Sequence, residues 1–339
     1  MSKPRLHILA LGGTIATQRD ASGAMQMGLG ADDLVSAVPL LAGLADIHGE
    51  TVSKVGSHSL SFDQIHTLAI KIRGLHCDGV VITQGTDTLE ETAFLLDLLL
   101  DLQVPVIVTA AMRNPALTSP DGPGNLLAAV RVACDPWVRA NANGLGVLAV
   151  MLDEVYAAAD VAKAHPTRLN AFEARQTGPI AALVEDRIVP LSLPIRAPIE
   201  AARRALGRMD HKGKPVALFW LGLDEPGRLV EAMLAAPDHL GYGAAVLGAM
   251  GGGHVPEGMA ALVGRLAQAM PTVVAGRAGA GGPLLRKTYA GPAAEIALQA
   301  AGLIWGGRLP PLKARVLLDA CLRAALSRAA IAPLFEAFG

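Results

Sequence analysis

The chain lacks an excess of charge of either sign. Its 29 Lys and Arg stand against 30 Asp and Glu for a formal net charge of −1, and no run of Lys or Arg gathers the positive charge in one place. Nucleic acid and anionic membrane surfaces recruit proteins through clustered basic residues, so neither is expected as a partner. Long apolar runs are missing as well. Hydrophobic residues make up 52% of the sequence, yet no uninterrupted stretch approaches the ~20 residues needed to cross a bilayer. Cysteine is scarce: Cys77, Cys134 and Cys321 are scattered and odd in number, which reads as reduced, buried thiols and not as a disulfide framework. A catalytic cysteine is the weaker reading, since a lone buried thiol usually packs. The opening "MSKPRLHIL" holds too short an apolar segment for a signal peptide, and no cleavage site follows. A cytoplasmic protein is therefore expected.

Several chemical signatures are also missing. No G-x-x-x-x-G-K-[ST] phosphate loop occurs, and the glycines at 12–13 are followed by no lysine. The dinucleotide fingerprint G-x-G-x-x-G does not follow the first apolar run. Three glycines at Gly251–Gly253 ("AMGGGH") are weak evidence alone. The nine histidines never pair at i, i+4 on a helical pattern with carboxylate support, so no metal site is expected. A G-x-S-x-G nucleophile elbow is missing.

What the chain does have is alternation. Apolar runs of strand length fall at 5–11, 79–83, 104–109, 145–151, 216–222, 244–248 and 271–275; helical patterns fall at 31–38, 61–73, 89–102, 124–134, 226–236, 257–270 and 311–325. Strand–helix alternation of this kind predicts an α/β protein built on a mostly parallel sheet with helices on both faces. In such sheets ligands bind beyond the carboxyl ends of the strands. Prolines and basic residues gather at 187–214, without a strand pattern, and mark a linker. The expected organisation is a larger N-terminal domain over 1–190, a linker over 191–213 and a smaller α/β domain over 214–339. At 339 residues the chain is long enough for two cores.

Three apolar runs of the first domain are followed by small hydroxyl residues: Thr14 in "ALGGTIA", Ser57 and Ser59 in "KVGSHS", and Thr86 and Thr88 flanking Asp87 in "VITQGTDTLEETA". Glycine beside a hydroxyl is common in turns. Thr88 reads as a helix N-cap with Glu91 three residues on, a capping box. Capping accounts for neither Thr86 nor the carboxylate of Asp87. A threonine nucleophile needs a neighbouring base or cation; Lys163 in an Ala-rich stretch could supply one, but from the residues alone a solvated surface lysine is the favoured reading.

The motifs then converge. "LALGGTIAT" (9–17) and "ITQGTDTLEETA" (82–93) resemble the two signatures of bacterial-type L-asparaginases. "AAMRNPALTSPDGPGNLLAAV" (110–130), "AADVAKAHPTRLNAF" (158–172) and "GRLPPLKARVLL" (307–318) resemble further segments of the same family, in the same order. The resemblance implies a homo-oligomeric L-asparagine amidohydrolase that needs no metal or organic cofactor. It implies Thr14 as the nucleophile; Thr86, Lys163 and Asp87 as a second constellation; Asp87 for the substrate ammonium; and Ser57 for the substrate carboxylate. The carbonyl of Ala111 would accept from the leaving amide nitrogen, and backbone N–H groups near Gly13, Thr14 and Thr86 would hold the oxyanion. Glu295 would reach the site of a neighbouring subunit; a helix N-terminal acid is the competing reading.

Three departures qualify the match. The loop at 18–34, "QRDASGAMQMGLGADDL", holds no tyrosine where the family carries one, which leaves Tyr289 and Tyr156 as candidate substitutes. His58 follows Ser57 where Gln is frequent, and a histidine there is expected to hydrogen-bond substrate similarly. The glycines at 251–253 stand where some members carry an asparagine that favours longer amides, so low glutaminase activity is expected. A related ω-amidase, an amidotransferase-associated amidase and a non-catalytic amino-acid-binding relative are the competing functions.

Overall fold

The computed structural model describes residues 2–20, 22–207, 209, 212–279 and 281–339. It divides into two compact units, Met1–Arg196 and Ala197–Gly339. Sixteen strands are described: β1 (Arg5–Gly12), β2 (Thr17–Arg19), β3 (Met25–Met27), β4 (Asp46–Val55), β5 (Gly79–Thr83), β6 (Val106–Thr109), β7 (Leu148–Met151), β8 (Glu154–Ala157), β9 (Ala162–Lys163), β10 (Phe172–Glu173), β11 (Ala181–Val184), β12 (Arg187–Pro190), β13 (Val216–Trp220), β14 (Ala244–Ala249), β15 (Thr272–Gly276) and β16 (Ile304–Trp305).

The larger unit is built on an eight-stranded sheet in the order β12-β11-β8-β7-β6-β5-β1-β4. Pairing is parallel from β4 through β7 and antiparallel from β7 to β12. The sheet is thus mostly parallel, as the alternation predicts. β5, β6 and β7 are buried along their whole length, because helices cover both faces and leave no position for an alternating polar side chain. The helix Leu89–Leu99 is buried on almost every side, including Asp97. That carboxylate accepts from the Val147 N–H at 3.0 Å and pairs with Arg196 at 2.5 Å, so the buried charge is compensated. The helix Phe62–Arg73 opens with a capping box between Ser61 and Gln64.

Nine of the described strands lie outside the apolar runs, and four of these, β4, β8, β11 and β12, belong to the eight-stranded sheet. β4 is an edge strand with a half-exposed pattern, and His48, Gly49 and Glu50 interrupt its apolar residues. β8, β11 and β12 form the antiparallel end, where each strand has only four residues and β11 and β12 are half solvated. The stretch at 187–214 was expected to carry no strand, but β12 occupies its start. The helix Ala197–Leu206 follows, with Pro198, Ile199, Ala202 and Leu206 buried on one face and Arg203 and Arg204 in its last turn. Its prolines and arginines hide a helical period. Residues 208, 210 and 211 of that stretch lie outside the described residues.

The smaller unit holds a four-stranded parallel sheet, β13-β14-β15-β16. Its core includes Val230, Leu247, Met259, Val263, Val274 and Trp305. Among the described residues no helix is long and apolar enough to cross a membrane.

Candidate active site

Four parallel strands of the larger unit, β4, β1, β5 and β6, end at the same edge, and their following loops carry the hydroxyl residues. Gly12 and Gly13 both adopt positive φ, +111° and +84°. A Cβ on Gly13 would lie 2.1 Å from the Gly85 nitrogen, and one on Gly85 would lie 2.6 Å from Ser57 Oγ. The loops after β1, β4 and β5 therefore touch backbone to backbone, which only glycine permits. This contact brings Gly13–Thr14, Ser57 and Thr86–Asp87 into one neighbourhood. Ala111 joins them through Gly122, whose added Cβ would meet Ile15 Cγ1 at 3.0 Å and Ala111 Cβ at 3.4 Å.

Thr14 opens a single 3₁₀ turn, Thr14–Ala16, and its carbonyl accepts from Thr17 Oγ1 at 2.8 Å. Lys163, half-buried on β9, donates through Nζ to Thr86 Oγ1 at 2.8 Å and to Asp87 Oδ1 at 2.7 Å. Asp87 Oδ2 faces His58 Nδ1 at 3.9 Å. The Asp87 side chain stays 57% exposed, so the carboxylate that holds the lysine also faces solvent, where a ligand ammonium can reach it. Ser57, buried, accepts from the Asp87 N–H through Oγ at 3.1 Å.

Thr88 does not cap the helix with its side chain. Its hydroxyl donates instead to the Ser57 carbonyl at 2.9 Å. Tertiary contact with the neighbouring loop replaces the local bond that the capping-box reading expected. The hydroxyl residues of 57 and 86–88 form one hydrogen-bonded cluster.

The tyrosines stand elsewhere. Residues 17–27 fold as the hairpin β2–β3, with residue 21 outside the described residues. The Tyr156 hydroxyl lies between the Glu154 carboxylate and the Phe172 carbonyl, 3.1 Å from the latter. Burial, reinforced by Glu154, pushes its pKa well up, so it remains a protonated donor. In the smaller unit Tyr289 is 52% exposed, with its ring edge-on to His254 at 5.3 Å. Glu295 is fully buried. Its Oε1 accepts from the Thr288 and Tyr289 N–H groups at 2.6 and 2.5 Å, and Oε2 faces His254 Nε2 at 3.4 Å. It also occupies the first turn of the helix Glu295–Ala300. Burial pushes this carboxyl up, but the N–H groups of Tyr289, Glu295 and Thr288, together with His254, outweigh it and hold the pKa below the ordinary value. No atom of Glu295 reaches the surface of the chain. The three cysteines are free, and burial pushes Cys134 to about 11 and Cys321 to about 12, which makes both poor nucleophiles.

The family description "Asparaginase, N-terminal" matches residues 5–194, and "Glutaminase/Asparaginase C-terminal domain" matches residues 216–335. The chain belongs to the asparaginase family. It is 33% identical to a probable periplasmic L-asparaginase of Haemophilus influenzae over 99% of this chain and 93% of that protein. L-asparaginase 2 of Escherichia coli is 32% identical over 95% of this chain and 90% of its own length. Among solved structures, a probable cytoplasmic L-asparaginase from Campylobacter jejuni superposes with a TM-score of 0.85 at 27% identity, covering 98% of this chain and 99% of that one. Relatives named for two different compartments leave this chain's own location unassigned.

Within this asparaginase-family site, several supporting residues escape a reading of motifs alone. Asp121 accepts from the Met112 and Arg113 N–H groups at 2.9 and 2.8 Å. Asn125 Nδ2 donates to the Ala110 carbonyl at 2.9 Å, and its Oδ1 accepts from the Leu152 N–H at 2.9 Å. Together they fix the main chain on both sides of Ala111. Their signal was present in "SPDGPGNL", where Asp121 and Asn125 stand four apart on one helical face. Glu90 Oε2 accepts from the Lys163 N–H at 2.8 Å, and nothing in its sequence neighbourhood distinguishes it from Glu91.

Proposed function

We propose that this asparaginase-family hydrolase is an L-asparagine amidohydrolase that releases L-aspartate and ammonia through an acyl-enzyme on Thr14. The observation that carries the reading is the Lys163–Thr86–Asp87 triad, with its 2.8 and 2.7 Å hydrogen bonds, on a loop packed against the Gly13–Thr14 turn.

In this reading the substrate zwitterion supplies the orientation. Its ammonium meets the exposed carboxylate of Asp87, and its carboxylate meets Ser57, His58 and the turn amides around them. Thr14 Oγ attacks the side-chain amide carbon; its proton passes to the leaving nitrogen, and ammonia departs as the ester forms. The developing oxyanion is held by backbone N–H groups beside Gly13, Thr14 and Thr86, since fixed dipoles of this kind carry much of the barrier reduction in acyl transfer. The Ala111 carbonyl accepts from the departing amide nitrogen. Water then attacks the ester, with Thr86 and Lys163 relaying its proton through their shared hydrogen bond, and Thr14 regains its hydrogen.

Selectivity follows from the glycines at 251–253, which provide no side-chain amide for a longer substrate. Asparagine is the preferred amide and glutamine a poor one. Ammonia release is measured from both amides with the wild-type chain and with Thr14→Val. Release from asparagine that falls by at least about 10³-fold in the variant supports the nucleophile. Comparable kcat/KM on asparagine and glutamine refutes the selectivity, and aspartate binding without any ammonia release makes the protein a non-catalytic binder. The working unit in this proposal is a homo-oligomer in the cytoplasm.

A further inference from the structure

Lys163 sits on a ribbon of two short strands, β9 and β10, that is not part of the eight-stranded sheet. Two short strands alone do not hold their shape in water. The ribbon is pinned from outside on each of its strands. On β9 the buried carboxylate of Glu90, in the first turn of the helix Leu89–Leu99, accepts from the main-chain N–H of Lys163 itself at 2.8 Å. On β10 the hydroxyl of Tyr156, 3% exposed on β8, stands 3.1 Å from the carbonyl of Phe172, its single proton shared between that carbonyl and the Glu154 carboxylate. Phe172 is the register partner of Lys163. The turn 86–90 therefore holds one lysine at both ends: Thr86 and Asp87 take the ammonium, and Glu90 takes the backbone. A buried carboxylate is tolerated where a donor satisfies it, and the lysine N–H supplies one.

We propose that Glu90 and Tyr156 are positioning residues for Lys163, fixing from its two strands the ribbon that aims the ammonium at Thr86. The assignment rests on the amidohydrolase reading for its kinetic consequence, but its geometric content is independent of that reading. A displacement of about 1 Å at a catalytic group can reduce turnover on the order of 10²-fold. Loss of either pin therefore lowers kcat and leaves the substrate-binding groups Ser57 and His58 in place.

The test uses the full chain carrying Glu90→Ala, Glu90→Gln or Tyr156→Phe, with two readouts. The first needs no substrate: the rate at which an amine-acylating reagent labels Lys163, resolved by peptide mass spectrometry against the exposed lysines as internal standards. The second is kcat and KM on asparagine for the folded fraction. Glu90→Ala and Tyr156→Phe are expected to raise Lys163 labelling several-fold and to lower kcat by about 10- to 100-fold, with KM within about two-fold of wild type. Glu90→Gln, which keeps an acceptor oxygen, is expected to restore most of both. Unchanged Lys163 labelling in Glu90→Ala and Tyr156→Phe overturns the proposal, as does a Glu90→Gln loss as large as that of Glu90→Ala. If Glu90→Ala fails to fold, Tyr156→Phe and Glu90→Gln carry the same comparison. A wild-type protein that releases no ammonia from asparagine defeats the functional reading, and the labelling arm still decides the positioning role.

Discussion

At the scale of single residues, the site is set by backbone close approach before any side chain acts. Gly13 combines φ of +84° with a neighbour that leaves its Cβ 2.1 Å from the Gly85 nitrogen. Gly13→Ala must both strain its own backbone and push two loops apart, so a destabilisation of about 2 kcal/mol or more is expected, accompanied by loss of ammonia release. Denaturant unfolding and activity on the folded fraction check the two parts separately. Glu295 makes a different kind of residue-scale prediction. Its carboxyl titrates lower in the folded chain than in an unfolded one, so the ionised form favours the fold. That contribution is full above the ordinary carboxyl range near about 4.3 and is lost as pH falls through the folded value. Glu295→Gln should lower stability at neutral pH and flatten the acid limb of the stability curve. An acid limb with wild-type slope in the variant refutes the assignment.

At the scale of elements, what could be read from sequence depended on where each element lies. β5, β6 and β7 are buried on both faces, so their sequences are continuous apolar runs, and "GVVIT" at 79–83 coincides with β5. β4 lies at the sheet edge and alternates irregularly, and its "DIHGETVSKV" hides a strand that pairs with β1 along most of its length. The helix Ala197–Leu206 was obscured by the prolines and arginines around it. The candidate site divides in the same way. Hydroxyls, Asp87 and Lys163 sit in compact motifs, because chemistry constrains several neighbouring residues at once. Glu90 acts across 73 positions of sequence on a main-chain N–H, a contact that leaves no local pattern. Asn125 is the intermediate case: it lies in a motif, but its work is to hold the chain around Ala111. Asn125→Ala leaves the Leu152 N–H and the Ala110 carbonyl without partners, which costs about 1–3 kcal/mol for each buried group left unpaired. A fall in the unfolding midpoint together with a raised KM for asparagine is expected; an unchanged midpoint contradicts the role.

At the scale of the whole molecule, the missing loop tyrosine and the inward-facing Glu295 point to the same segment. The hairpin β2–β3 after Thr14 holds no tyrosine, and the Tyr156 hydroxyl is committed to Phe172 and Glu154. Tyr289 alone of the three tyrosines combines substantial exposure, 52%, with a fixed backbone, since Glu295 holds its N–H at 2.5 Å. In the proposed oligomer Glu295 would set the segment that carries Tyr289, whose hydroxyl would enter the site of a neighbouring copy. A shared site of this kind has a stoichiometric signature. Thr14→Val removes the nucleophile of a chain's own site, whereas Tyr289→Phe damages only the neighbour's site, by about 10²- to 10⁴-fold if the hydroxyl transfers a proton. When the two weakened variants are mixed and allowed to exchange subunits, hybrids concentrate both lesions in one site and leave the other intact. With random exchange roughly one site in four is whole. Ammonia release is therefore expected to rise on mixing to about a quarter of the wild-type value, and to fall again on dilution below the dissociation constant of the oligomer. Verified exchange with no recovery places the functions of Thr14 and Tyr289 in the same chain or removes Tyr289 from the reaction altogether.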